Sequence, residues 1–207
     1  MNGIDKLFHL KYLSLRDTKM SKLPSGILKL YGLETLDISN TFIEELPSEI
    51  VRLIKIQHLL AHHGFNGASG AMKIPNGIGN MRNLRVISGF NVINSSLSAV
   101  EELAYLKFEE GAMPKLEKLE VPFFVSVAKA NGFDLGIINL PCLKHAKIRL
   151  DNTDATSSES KTAAAAIRNE ANAHPSHPRV LVYGEMEQDV EENDIDKEAS
   201  CTNEEER

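Results

Sequence analysis

The histidines and cysteines are the first residues to test for chemistry, and their spacing yields little. His62 and His63 are adjacent, and neighbours on a strand point to opposite faces, so the pair is poorly placed to chelate one metal ion. His174-Pro175-Ser176-His177-Pro178 puts two histidines three apart in a proline-stiffened turn, with no Cys or carboxylate at zinc-ligand spacing. Cys142 follows Pro141 just ahead of an apolar position and is expected to pack, whereas Cys201 lies among acidic residues as an exposed thiol. Two cysteines do not make a disulfide framework, which fits a reducing compartment. Gly64 to Gly70 is glycine-rich but lacks the lysine and the strand-to-helix setting of a phosphate loop, so it reads as a surface insertion. Asn94-Ser95-Ser96 fits a glycosylation acceptor, without a secretory signal to make it relevant. No acid, base, nucleophile and metal set converges. The expectation is no enzyme, no catalytic or metal-binding residues and no cofactor.

Charge narrows the partner class. The 207 residues carry 23 Lys plus Arg against 29 Asp plus Glu, net −6. Residues 184–207 hold 11 acidic and 2 basic side chains, net −9, which leaves +3 for residues 1–183. That is too small an excess to suggest nucleic-acid binding. The acidic stretch lacks apolar periodicity and reads as a disordered tail. No run approaches the roughly 18 apolar residues of a membrane helix. Met1-Asn2-Gly3-Ile4-Asp5-Lys6 is not a basic-then-apolar leader, so a cytoplasmic location is expected.

Whatever this chain does must therefore come from a surface, and the elements that build it are repeats. Because 13 of the 24 leucines lie in the first 60 residues, the period is sought there. Leu10, Leu13 and Leu15 recur 23 residues later as Leu33, Leu36 and Ile38, then after another 23 as Ile56, Leu59 and Ala61. Leu23-Pro24 recurs as Leu46-Pro47, and Thr18 as Thr41. Leu84-Arg85-Val86-Ile87 follows the third copy after 28 residues, the excess falling in the glycine-rich insertion. Apolar residues at relative positions 1, 4 and 6, a small polar residue at 9 and an apolar one at 11 match the leucine-rich repeat. One short strand per coil would line a concave face, the small polar residue would bond backbone groups at the corner, and Leu-Pro would start the return arm. Clear repeats span 7–93. Degenerate ones span 94–150, with a helix from Ser95-Ser96 through Leu106 and strands at Leu116–Val121 and Leu143–Ile148. Residues 151–183 are read as a cap: an alanine-rich helix from Thr162 to Ala173, then a last strand Arg179–Tyr183. The fold expected is an α/β solenoid, one parallel strand per coil, closed by this helical cap.

In such a strand the residues between the inward apolar positions face the concave surface. These are Tyr12, Ser14 and Arg16, then Thr35, Asp37 and Ser39, then His58, Leu60 and His62, then Val86, Ser88 and Phe90. The terminal strands add Lys118 and Glu120, then His145, Lys147 and Arg149. The face should run from polar through aromatic and apolar to basic, with large amphipathic groups of the kind that serve as interface anchors. The expected partner-binding set is Tyr12, Arg16, Thr35, Asp37, His58, Leu60, His62, Val86, Phe90, Lys147 and Arg149.

The segments LKYLSLRDTKMSKLPSGILKL and LETLDISNTFIEELPSEIVRL resemble the repeat region of plant intracellular disease-resistance receptors, the coiled-coil, nucleotide-binding, leucine-rich-repeat (NLR) family. GAMPKLEKLEV, LPCLKHAKIRLDN and AIRNEANAHPSHPRV look like the final repeats and C-terminal end of its cereal members. The resemblance covers about residues 4–183. It implies a module that recognises a pathogen effector or a guarded host protein and contacts the nucleotide-binding (NB-ARC) switch domain of a related receptor. The chain lacks the Gly-Lys-Ser/Thr phosphate loop of that switch, begins just ahead of its first strand and has fewer repeats than the family usually has. A truncated relative or fragment is therefore expected, with nucleotide switching not carried over. The other reading is a stand-alone scaffold of the Ras-binding leucine-rich-repeat kind, whose repeats also favour 23 residues.

Overall fold

The computed structural model of the chain describes residues 3–62, 72–73, 75, 77–91 and 107–185. Its strands, in chain order, are β1 (Tyr12–Ser14), β2 (Thr35–Asp37), β3 (His58–Leu60), β4 (Met72–Lys73), β5 (Val86–Ser88), β6 (Phe90–Asn91), β7 (Lys118–Phe124), β8 (His145–Asp151) and β9 (Arg179–Tyr183). Seven of them form one sheet in the order β1-β2-β3-β5-β7-β8-β9, every pair parallel, while β4 and β6 pair separately. The register aligns Leu13, Leu36, Leu59, Ile87, Leu119, Ala146 and Val180 into one inward column. Behind it Leu33, Ile56, Leu84, Leu116 and Leu143 are also buried. Burying each such side chain contributes about 1.5–3 kcal/mol, and no coil could do so without its neighbours.

The coil corners follow from the residues predicted for them. The Thr18 hydroxyl donates to the Leu15 carbonyl at 2.7 Å and that of Thr41 to the Ile38 carbonyl at 2.8 Å. Asp17 and Asn40, one coil apart, take φ of 59° and 54°, the left-handed region that short polar side chains tolerate best. Asn40 then donates to Asp17 across the stack at 2.9 Å. Pro24 and Pro47 precede 3₁₀ turns Ser25–Lys29 and Ser48–Arg52, whose Ile27 and Ile50 are buried. A 23-residue coil leaves its return arm room for little more than such a turn.

The later coils are built with longer elements. β7 and β8 pair over seven residues, Lys118↔His145 through Phe124↔Asp151. Pro122 sits within β7 but beyond Ser88, where the pairing with β5 has already ended, so the donor it lacks is not needed on that side. After β7 come a short helix α1 (Val125–Ala128) and the long helix α2 (Ser157–Ala173). α2 starts five residues earlier than its alanines predict because Thr156 and Glu159 form a capping box. It ends before Pro175 as expected and buries Ala163, Ala164, Ile167 and Ala171, with Ala166 only partly covered. The turn after it is tied to the preceding coil by its histidine. Buried His174 lies with Nε2 3.1 Å from the Leu140 carbonyl, while its Nδ1 accepts the Ser176 N–H at 3.0 Å. Cys142, expected to pack, is exposed.

The glycine-rich insertion with His63, the helix from Ser95 to Leu106 with its glycosylation motif, and the acidic tail beyond Glu185 with Cys201 lie outside the described residues. Among the described residues, no helix is long and apolar enough to cross a membrane.

Candidate partner-binding face

The register that stacks the core also sorts the outward side chains into rows. One row runs Tyr12, Thr35, His58, Val86, Lys118, His145 and Arg179. The next runs Ser14, Asp37, Leu60, Ser88, Glu120, Lys147 and Leu181. Pro122, Arg149 and Tyr183 begin a third over the long strands. Row members sit about 4.8 Å apart and successive rows about 7 Å apart. The gradient from polar to apolar to basic is therefore laid out in space as expected.

The structure brings most of the expected residues onto this face. Tyr12 is 60% exposed, Arg16, Lys147 and Arg149 are exposed, and Thr35, His58, Leu60, His62 and Val86 are half-buried. Thr35 Oγ1 and His58 Nδ1 approach to 3.2 Å and fix one another. Two expectations fail. Phe90 is fully buried, because Gly89 takes a φ of 79° and breaks the alternation that would have carried Phe90 outward. It pairs in β6 with Met72 and joins the core instead. Asp37 is only 3% exposed: it accepts the Ser39 N–H at 3.0 Å and lies 3.6 Å from the Arg16 guanidinium, so the coil itself uses its charge. Ser39 is likewise buried, its hydroxyl accepting the His62 N–H at 3.2 Å.

Charges at the rim and charges on the face behave differently. Along the strand-entry rim, Lys11 pairs with Glu34 at 2.9 Å, and Glu117 with both Arg85 at 2.6 Å and Lys144 at 2.8 Å. Those cations, the Lys144 hydrogen bond first, hold the Glu117 carboxyl below its usual range. On the face, Lys118, Lys147 and Arg149 have no ion-pair partner among the described residues. Glu120 faces His62, Oε2 to Nε2 3.4 Å, a contact that becomes an ion pair when the imidazole is protonated. Tyr183 beside Arg149 has its phenol pushed up by burial and by the Glu120 charge, so it stays a neutral donor.

A depression of about 360 Å³ opens in the middle of this face, from Leu60 and Val86 across Ser88 to Lys118, Glu120 and Lys147. His62 and His145 flank it. Among the described residues no group of three or more His, Cys, Asp or Glu could hold a metal ion. What the arrangement offers is binding. A second exposed feature escaped the sequence reading: Phe8, Tyr31 and Ile54, each 23 residues after the last, form an apolar column where the chain enters the strands. Their recurrence at the repeat period was the available signal.

The parallel one-strand-per-coil sheet, the stacked apolar columns and the helical cap define a leucine-rich-repeat solenoid. The chain belongs to the leucine-rich repeat region family, whose model matches residues 1–107 and 104–180. Among solved structures, the leucine-rich-repeat protein LIC12759 of Leptospira interrogans is similar at 16% identity and a TM-score of 0.37, over 87% of this chain. The match covers 50% of that protein, so this chain spans about half its length. No curated protein matches the sequence.

Proposed function

We propose that the chain is a non-enzymatic protein-recognition module whose concave sheet docks a protein partner. The observation that carries this is the contrast between the self-paired rim and Lys118, Lys147 and Arg149 on the face, which are unpaired among the described residues. Charges held ready but not used within the fold are what a docking surface requires. The likeness of its first coils and last repeats to NLR disease-resistance proteins supports a finer reading. On that reading residues 1–183 act in the cytoplasm as the repeat region of a plant immune receptor, with residues 184–207 as an acidic tail. The partner is then a pathogen effector, a guarded host protein or the NB-ARC domain of a related receptor. The 23-residue coils of β1 to β3 equally suit a stand-alone scaffold of the Ras-binding kind.

Co-precipitation separates these readings, with the NB-ARC domain of a cereal receptor and a small GTPase as baits. His58→Ala and Lys147→Glu should each reduce capture of the receptor domain at least 5-fold, while Arg52→Ala on the 3₁₀ return arm leaves it unchanged. Phe90→Ala is no probe of recognition, since it removes a buried ring. Equal losses on the two sides of the coil would refute the concave face, and capture of the GTPase alone would replace the receptor reading by the scaffold.

A further inference from the structure

We propose that the central depression selects an acidic peptide segment in the threefold polyproline II conformation, carrying an apolar residue three positions from a carboxylate. This deepens the reading of the concave face as a docking surface and rests on it. The depression has two ends of different chemistry. Leu60 and Val86, on β3 and β5, present half-buried apolar side chains, while Lys118 and Lys147, on β7 and β8, present ammonium groups without partners among the described residues. Two strand spacings separate β5 from β8, about 10 Å, and one three-residue turn of polyproline II covers nearly the same distance, roughly 3.1 Å per residue, while bringing residues i and i+3 to one side. A segment crossing the strands therefore sets its apolar side chain over Leu60 and Val86 when its carboxylate reaches the lysines.

Charge selects the sign of that group. Among the described residues Glu120 is the single acidic one lining the depression, and it lies 3.4 Å from His62. The two lysines, with Arg149 one row further on, leave the β7–β8 end positive. Between the two ends lies Ser88, only 4% exposed, whose hydroxyl has no hydrogen-bond partner among the described residues. An unsatisfied buried hydroxyl is rare and costly, and an acceptor on the incoming backbone would relieve it. The chain's own acidic tail is a poorer occupant. After β9, Glu185 pairs with Arg168 of α2 and Gly184 accepts from Asn152, so these two residues are engaged away from the depression.

The test uses the full chain and a 12-residue probe peptide repeating Leu-Ser-Ser-Glu, with fluorescence anisotropy as the readout. Binding should weaken at least 10-fold when the probe's Glu is replaced by Gln. Lys147→Glu should lose a similar factor and regain binding to a probe carrying Lys in place of Glu. Lys118→Ala and Ser88→Ala should lose about 3-fold each. Arg52→Glu on the return arm should change nothing. If the Gln probe binds as well as the acidic one while Val86→Asp still abolishes binding, acidic selection falls and the concave face stands. If Arg52→Glu weakens binding as much as Lys147→Glu, both fall. Binding that appears only after Glu187→Gln, Glu191→Gln and Glu192→Gln, or that excess full chain competes away, assigns the site to the tail or to a second copy and overturns the proposal.

Discussion

The coils of β1 to β3 and those of β7 to β9 solve one stacking problem with different materials. In the first, three-residue strands and 3₁₀ arms repeat every 23 residues, held by apolar columns with a single threonine at each of two corners. In the second, strands pair over seven and five residues at spacings of 27 and 34, and a 17-residue helix forms the outer side. The longer arms expose backbone donors and acceptors that the repeat pattern does not satisfy. Side chains of α2 and of the turn after it meet that need: Glu170 accepts from Leu135 and Ile137, and His174 reaches Leu140. The early coils thus gain stability from many similar contacts, and the late coils from a few specific ones.

Gly89 lies on the seam between these regions and tests it most severely. Its φ is 79°, and a Cβ there would overlap the Ala61 carbonyl and lie 2.6 Å from the His62 nitrogen, all of it backbone. Gly77 has a similar φ of 83°, but its nearest neighbour would be 3.7 Å away. Gly89→Ala should cost about 4 kcal/mol, near the top of the range for one substitution. Gly77→Ala should cost about 1–2 kcal/mol for the left-handed backbone alone. Denaturant unfolding of the two variants measures the difference. Similar midpoints would mean that the two halves meet more loosely than the close approach of Gly89 to Ala61 requires.

Legibility in the sequence follows the same division. The 23-residue period alone places β1, β2 and β3, and the Thr18 and Thr41 bonds follow from their corner positions. The last strand, Arg179–Tyr183, matches its expected bounds because prolines and β-branched residues mark it. Phe90 was misplaced because strand alternation was carried through Gly89, whose positive φ reverses the side on which the next residue falls. Asp37 was misplaced for another reason. Pattern assigns the face of a residue, but the cover that Arg16 gives it depends on a side chain 21 positions earlier. That Lys118 and Lys147 stand unpaired among the described residues while Arg85 and Lys144 do not is equally a matter of three-dimensional neighbours.

Glu170 carries the next largest expectation. Its two carboxylate oxygens accept the Leu135 N–H at 2.7 Å and the Ile137 N–H at 2.9 Å, tying α2 to the loop before the following turn. Glu170→Ala strands both donors in a half-buried site and should cost about 2–3 kcal/mol, with Glu170→Gln between it and the native protein. In the early coils, Thr41→Val removes one hydroxyl bond among many apolar contacts and should cost about 1 kcal/mol. Amide exchange at Leu135 and Ile137 should quicken selectively in Glu170→Ala. A cost no greater than that of Thr41→Val would remove the distinction between many interchangeable contacts and a few specific ones.

The smallest effect concerns two glutamates of α2 that titrate in opposite directions. Glu159 is held down to about 2 by Lys129, 2.5 Å away, and by the Thr156 backbone N–H of the capping box. Because its folded value lies below its ordinary 4.5, the stability it contributes is in place above pH 4.5 and is lost as the pH falls towards 2. Glu170 is pushed up, by burial first and also by the neighbouring Asp134 carboxylate, which Lys107 in turn holds down. Its contribution has the reverse sign, complete below 4.5 and lost as the pH rises through the raised value. Glu159→Gln should therefore flatten the acid limb of a stability-against-pH curve between pH 4.5 and 2, while Glu170→Gln flattens only the part above 4.5. Helicity at 222 nm should follow the first variant, since the capping box starts α2 five residues ahead of its alanines. An acid limb unchanged by Glu159→Gln would leave the acid sensitivity to Glu117 and Asp134, the other carboxyls held down by cations, and the capping box would then not be one of the few specific contacts on which the late coils depend.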